Sequence, residues 1–325
     1  PVMTVVAEIS ATKIQQIKDH YPALDILGVN SYGGLSSLAD RLRSAGWTKP
    51  YAVTEFGPRG HWEAGKTAWG VPLEQSSTAK AESYLQGYRA SIDGEPACVG
   101  SYAFLWGYKQ EKTHTWYGMI LPDEVGGGRT GAVDAMTFAW SGSWPTNRCP
   151  TIEGAGITVD QSFNPGDGKN RFAPQSSIKV SVDVRDPEGT LPHVTWDLRK
   201  DVSLNPASGG SAEPANPPLS TTITRSGTSA IILLPQAPGM YRVHVYVHDD
   251  SGNGATANLP LVVDTGVPIH KRAGVSLVAD NAEGKGTILN LQGRTIGMPS
   301  VPRMAPGCYV GSTEAGVPVR WCGRP

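Results

Sequence analysis

Glu55 closes an apolar run, Tyr51-Ala-Val-Thr-Glu-Phe-Gly57. A carboxylate at the end of a buried strand is costly unless it is paired or works. Two roles suit it: attack on an anomeric carbon from a fixed, partly desolvated position, or a structural ion pair with Arg59 or Lys109. Retaining glycosyl transfer needs a second carboxyl group ~5–5.5 Å away, and Glu8, at the end of an earlier apolar run, is the one strand-end substitute in this chain. Asn30 to Tyr32 and Phe104 to Trp106 end two further runs. His61, Trp62 and Lys109 lie in long segments that follow these ends, where they could line subsites for neighbouring sugars or anchor the segments. His61 and His114 have no companions at ligand spacing, and this chemistry calls for neither metal nor cofactor.

The elements that must hold these residues alternate. Val2 to Ile9 reads as a strand; Ser10 caps a helix to about His20 with Ile14 and Ile17 on one face. Leu24 to Tyr32 is a second strand, with a turn at Gly33-Gly34, and Leu35 to Ser44 a second helix stopped by Gly46. Pro50 to Glu55, a helix from Ser77 to Ser91, Cys98 to Trp106 and a helix over about Thr130 to Trp140 complete four βα units. Near-continuous apolar strands belong to parallel sheets covered on both faces. The long excursions follow strand C-terminal ends and the returns are short, which is the asymmetry of a (β/α)8 barrel with chemistry at that face. A doubly wound sheet would want a phosphate-type glycine fingerprint, and Gly33-Gly34 is too little.

After about residue 147 the period changes to two. Ile178 to Val184, Val194 to Trp196, Ala230 to Pro235, Tyr241 to His248 and Leu259 to Val263 are short strands separated by turn signals such as Asp186-Pro-Glu-Gly189. That spacing predicts an immunoglobulin-like β-sandwich over 148–265, with Trp196 in its core. Asp186, Asp249 and Asp250 read as turn formers, with a calcium site as the alternative. Residues 266–325, rich in Gly, Pro and charge, are expected to be an irregular, partly ordered extension.

The formal charge is −1 with no basic block, which argues against a nucleic-acid or anionic-membrane partner. There is no apolar run of ~18 residues to span a membrane. Nine tryptophans suit a carbohydrate binder or simply fill cores. The chain opens directly on a strand-like run, so a truncated or processed piece is expected.

Thr54-Glu55-Phe56-Gly57, preceded one unit earlier by Val29-Asn30-Ser31-Tyr32 and followed by Phe104-Leu105-Trp106, resembles barrel strands seven, six and eight of clan A glycoside hydrolases, most closely the family 2 type catalytic barrel. The resemblance covers residues 1 to about 145, within a barrel domain expected over 1–147. It implies α/β plus all-β architecture: the C-terminal half, about four βα units, of a TIM barrel, followed by the sandwich. It implies that Glu55 is the nucleophile, Tyr32 its orienting partner, Trp106 the platform under the sugar and Asn30 a polar contact. The substrate would be a poly- or oligosaccharide with β-linkages, cleaved or transferred. The clan's acid/base ends strand four, directly after an Asn; that position would lie upstream of Pro1. Glu8 follows Ala7, and a substrate contact suits it as well as an acid role. An upstream half barrel, or a second copy, is therefore expected to complete the site. A non-catalytic carbohydrate-binding or scaffold protein on a degenerate barrel is the rival.

In such a barrel Cys98 starts the fourth strand at the bottom and Cys149 follows the last helix, so a Cys98–Cys149 bridge is expected, leaving Cys308–Cys322. Two bridges would mean a secreted, periplasmic or cell-surface protein.

Overall fold

The computed structural model describes residues 1–164, 169–190, 192–206 and 213–266, together with the backbone of four strand segments farther on. Pro1–Ile269 form one compact unit and His270–Pro325 a second. The chain is mixed α/β, with sheets predominating over a few helices.

The first unit opens with four parallel strands in the order β1 (Met3–Ala7), β2 (Ile26–Asn30), β3 (Tyr51–Phe56), β4 (Cys98–Ala103). Between and after them run α1 (Ala11–His20), α2 (Leu38–Ser44), α3 (Ser77–Ser91) and α4 (Gly131–Ser141). Ser10 and Ser76 cap α1 and α3 by accepting from the amides of Lys13 and Ala79, and Gly142 ends α4 at φ +74°. Ile14, Ile17, Leu38, Leu42, Tyr84 and Met136 of the helices pack on Leu27, Val29, Tyr51, Val53 and Phe56 of the sheet. That covers one face. On the other, Gly28, Val5 and Thr54 meet closely enough that a Cβ on Gly28 would sit 2.8 Å from the Val5 side chain. Val5 and Met3 in β1, and Val99 and Tyr102 in β4, are exposed. The expected cover on both faces is therefore absent within the described residues: β1 and β4 are open edges.

Two four-stranded sheets follow. One runs β5 (Thr151–Val159), β7 (Ser177–Arg185), β10 (Ser229–Leu233), β9 (Ile223–Ser226), and the other β6 (Arg171–Phe172), β12 (Gly254–Val263), β11 (Gly239–His248), β8 (His193–Lys200). Their inner residues, among them Ile178, Val180, Leu198, Ile232, Val243 and Val245, form one core that includes Trp196. Asp186 and Asp249 each accept two amides of their own turns, as turn formers do.

In the second unit β13 (Val278–Ala279) pairs with β14 (Thr287–Ile288), and β15 (Cys308–Ser312) with β16 (Pro318–Cys322), both antiparallel. Cys308 and Cys322 are opposite each other in register; the bridge expected there concerns side chains outside the described ones, as does most of the irregular segment expected over 266–325.

The expected Cys98–Cys149 bridge is not made, and both thiols are free. Residues 142–148 double back along α4, so that Cys149 binds Asp134 and the Arg129 carbonyl at the start of that helix rather than at its end. Cys98 stays at the start of β4, its thiol on the Gly100 carbonyl. Among the described residues no helix is long and apolar enough to cross a membrane.

Candidate active site

Val53 and Phe56 both enter the helix-side core although they are three residues apart. Strict alternation forbids this. The register explains it: Val29 pairs with Val53 but Asn30 with Glu55, and from the other side Ser101 pairs with Val53 but Ala103 with Phe56. Between Val53 and Phe56 β3 thus carries one extra residue relative to both neighbours, offset against β4 by an opposite shift between Tyr51 and Val53, and a bulge of this kind re-aims side chains. Thr54 and Glu55 are left on the open face together. Thr54 donates to the Asn30 side chain at 2.7 Å, so Asn30 is engaged within the sheet.

Glu55 is half-buried and accepts a hydrogen bond from the Tyr32 hydroxyl at 2.8 Å. Neither Arg59 nor Lys109 pairs with it; Lys109 pairs with Glu111 at 2.8 Å. Burial, and then the bond to Glu55, raise the Tyr32 pKa well above the ordinary tyrosine value. The phenol stays protonated and remains a donor. Around Tyr32 the rings of Trp62, Phe104 and Tyr117 stand edge-on, with centroids 5.5, 6.1 and 5.7 Å away. Tyr117 in turn takes the His61 amide and faces the His61 ring nitrogen at 3.1 Å. Burial, then the charge of Lys112, lower the His61 pKa, favouring the neutral ring.

Backbone approach makes this cup possible. A Cβ on Gly57 would sit 2.6 Å from the Phe104 carbonyl, and one on Gly33 would sit 2.8 Å from the Glu63 carboxylate. Glu63 accepts the amides of Gly33 and Gly60, joining the turn after β2 to the segment after β3.

The two other strand-end predictions fall differently. Glu8 has φ +62° and both its oxygens are taken, one by Arg41 and the Ile9 amide, the other by Ser31. It is a structural pair rather than a free carboxyl. Trp106 is 67 % exposed and makes none of the ring contacts around Tyr32; Phe104 stands there instead. Trp62, 57 % exposed, joins the cup through Tyr32. A hollow of about 560 Å3 lined by Pro1, Asp25, Ile26, Lys49 and Pro50 lies at the opposite ends of the strands and touches none of these groups.

No protein-family model matches the sequence, and no curated protein does. Among solved structures, PcoC, a methionine-rich copper resistance protein from Escherichia coli, is 13 % identical over 36 % of this chain and 99 % of its own, with a TM-score of 0.21. The PmoD soluble domain from Methylocystis sp. is 15 % identical over 36 % and 98 %, at 0.22. AbfB, a family 51 α-L-arabinofuranosidase from Bifidobacterium longum, is 12 % identical over 78 % and 58 %, at 0.26. Likenesses this slight bear on neither fold nor activity.

Two residues of the cup, Phe104 and Tyr117, are not singled out by the sequence pattern. Phe104 opens the strand end Phe104 to Trp106, where Trp106, two residues on, has the stronger platform chemistry. Tyr117 lies in a loop of mixed polar and aromatic residues, among them Tyr108, Lys109, His114 and Trp116, with no periodicity to orient it. Among the described residues no cluster of His, Cys, Asp or Glu could hold a metal ion.

Proposed function

We propose that this chain is the nucleophile-bearing part of a retaining glycoside hydrolase or transglycosylase acting on β-linked poly- or oligosaccharides, similar to clan A enzymes of the family 2 type. The observation that carries this is the Tyr32–Glu55 hydrogen bond at the end of a parallel strand, inside a cup of aromatic edges. In the first half-reaction the Glu55 carboxylate attacks the anomeric carbon, the glycosidic bond breaks, and the leaving oxygen takes a proton from an acid. In the second, water or another sugar hydroxyl displaces Glu55 and gives up its proton to the same group. Tyr32 holds one Glu55 oxygen, leaving the other to attack. Phe104 and Trp62 add aromatic surface beside Tyr32, and the exposed Trp106 offers a platform for the sugar.

The parallel order β1 to β4, each strand followed by a helix, supports the finer reading of residues 1–147 as the C-terminal half of a TIM barrel. The two packed sheets support an immunoglobulin-like sandwich over 148–265. The occupied oxygens of Glu8 support an acid/base supplied from outside these residues, and the open edges β1 and β4 are where an upstream half barrel or a second copy would add its strands. A polymeric substrate suits a secreted, periplasmic or cell-surface location; the free Cys98 and Cys149 remove one of the two bridges expected to support it.

Covalent capture tests the role of Glu55 without needing the acid. An activated 2-deoxy-2-fluoro-β-glycoside carries a leaving group that departs unprotonated. Labelling should add one glycosyl unit to the peptide containing Glu55, and Glu55→Gln should abolish it. Unchanged labelling of the variant, or none of the wild type, overturns the role. In that case the lock on Glu8 favours a non-catalytic carbohydrate-binding scaffold.

A further inference from the structure

Six charged side chains are buried where the sandwich meets the loops of the Glu55 face: Arg242, Asp201, Glu74, Lys80, Arg199 and Asp197. Isolated, each would cost several kcal/mol, so their arrangement calls for an explanation. Arg242, on β11 of the sandwich, is 1 % exposed. Its guanidinium is divided between three partners in the sandwich, among them the Ser203 hydroxyl at 3.5 Å, and one outside it. It pairs with Asp201, donates to the Asn258 side chain at 2.6 Å, and donates to the Pro72 carbonyl at 3.0 Å in the loop that follows Glu55.

Asn258 relays the contact. Oriented by Arg242, it donates to Glu74 at 2.6 Å. Glu74 also accepts from Lys80, Thr113 and Thr115, and Lys80 donates to the Thr115 carbonyl. Burial acts to raise the Glu74 pKa, but Lys80 and these donors outweigh it and keep the carboxylate ionised. The next residues after Thr115 are Trp116, bonded to the Arg59 carbonyl, and Tyr117 of the cup. One arginine of the sandwich therefore ties together both loops that carry the rings around Tyr32.

We infer that Arg242 is a positioning residue of the Glu55 site, fixing the loops after β3 and β4 through Pro72 and through the Asn258–Glu74 relay. Naming what is positioned rests on the proposed function; the clamp itself does not. A guanidinium suits the task because its rigid planar fork fixes the directions of its donors toward separate acceptors, whereas the donors of an ammonium rotate about one point at the end of a flexible stem. The sandwich then acts on the site without touching substrate.

The test is amide hydrogen exchange on the full chain, compared among wild type, Asn258→Ala, Arg242→Lys and the double variant Arg242→Met/Asp201→Asn. The double variant removes the ion pair as a unit, so that no lone charge stays buried; Asn258→Ala removes only a neutral relay. Val180→Ala, deep in the sandwich core and remote from the loops, serves as the control for general destabilisation. About tenfold faster exchange at Gly60, His61, Val71 and Thr115 is expected in all three loop-directed variants, with β2 and β3 unchanged and the control showing no such change. Loops that stay protected, or that loosen equally in Val180→Ala, overturn the inference. In parallel, quenching of tryptophan fluorescence by β-1,4- and β-1,3-linked glucan hexasaccharides should weaken about tenfold in the loop-directed variants. Loosened loops with no quenching of the wild type would keep the clamp and discard the glycan reading.

Discussion

Tyr32 and Glu55 are held together by a donor that cannot easily be lost. A phenol whose pKa is raised by burial and by the neighbouring carboxylate does not ionise until the surroundings open. Hydrogen bonds to charged groups contribute about 1.5–3 kcal/mol. Tyr32→Phe should therefore slow fluoro-sugar labelling of Glu55 by roughly ten- to a hundredfold while the aromatic packing persists. Time-resolved intact-mass measurement reads the rate; an unchanged rate would make Tyr32 a packing residue only. Glu55 itself was legible in the sequence because a carboxylate after three apolar residues is conspicuous. Its outward aim was not. That aim depends on a register shift against two neighbouring strands, and no single run of residues encodes a relation between runs.

The loops and strands carry a different lesson. Lys80 and Glu74 are almost fully buried, and Lys80 holds the Thr115 carbonyl as well. Lys80→Met strands the Glu74 carboxylate, and breaking such a pair costs about 3–5 kcal/mol. Lys80→Met/Glu74→Gln should recover much of that loss in urea denaturation; equal losses would mean that Glu74 is already solvated. Helices α1 to α4 and strands β1 to β4 were readable from caps, apolar runs and glycine stops. β5 was not, because Gly154 and Gly156, at φ +61° and +85°, interrupt its period. Cys149 misled for a related reason: the backtracking of residues 142–148 leaves no trace in composition. Glu8 looked like Glu55 from its position, and only the approach of Arg41 and Ser31, 33 and 23 residues away, separates the two.

Across the whole first unit, acid should be a weak point. His114 lies buried between a loop of the Glu55 face and the sandwich, its Nε2 against the Tyr246 hydroxyl at 2.7 Å and its ring beside His244. Tyr246 donates to Asp197, so His114 donates through Nε2 and its buried Nδ1 is left without a partner. Burial, then the charge of Arg199, push its pKa down to about 3, whereas the unfolded chain binds that proton near the ordinary ~6.5. Below ~6.5 the unfolded state thus takes up more protons than the folded one, and stability falls with pH until about 3. By pH 5 the loss from this one ring is about 2 kcal/mol relative to pH 7. His114→Gln should remove that share of the pH dependence, as read from urea midpoints at the two values; an unchanged slope would place the acid sensitivity elsewhere. His244, fully buried and also held well below its ordinary value, adds in the same direction.

The Arg242 fork has a meaning for how such a gene can change. Sequence periodicity breaks near residue 147 and invites the view of two interchangeable modules. Yet the guanidinium on the far side of that break grips a carbonyl at Pro72, and Ser77 and Thr78 at the start of α3 accept amides from Thr256 and Ile152. A crossover at residue 147 that imports a foreign sandwich would bring in surface groups not matched to these loops. Shuffled chimeras of that kind should survive only when the segments around Pro72 and Thr113–Thr115 travel with the incoming half, so the heritable unit is defined by the clasp and not by the change in period.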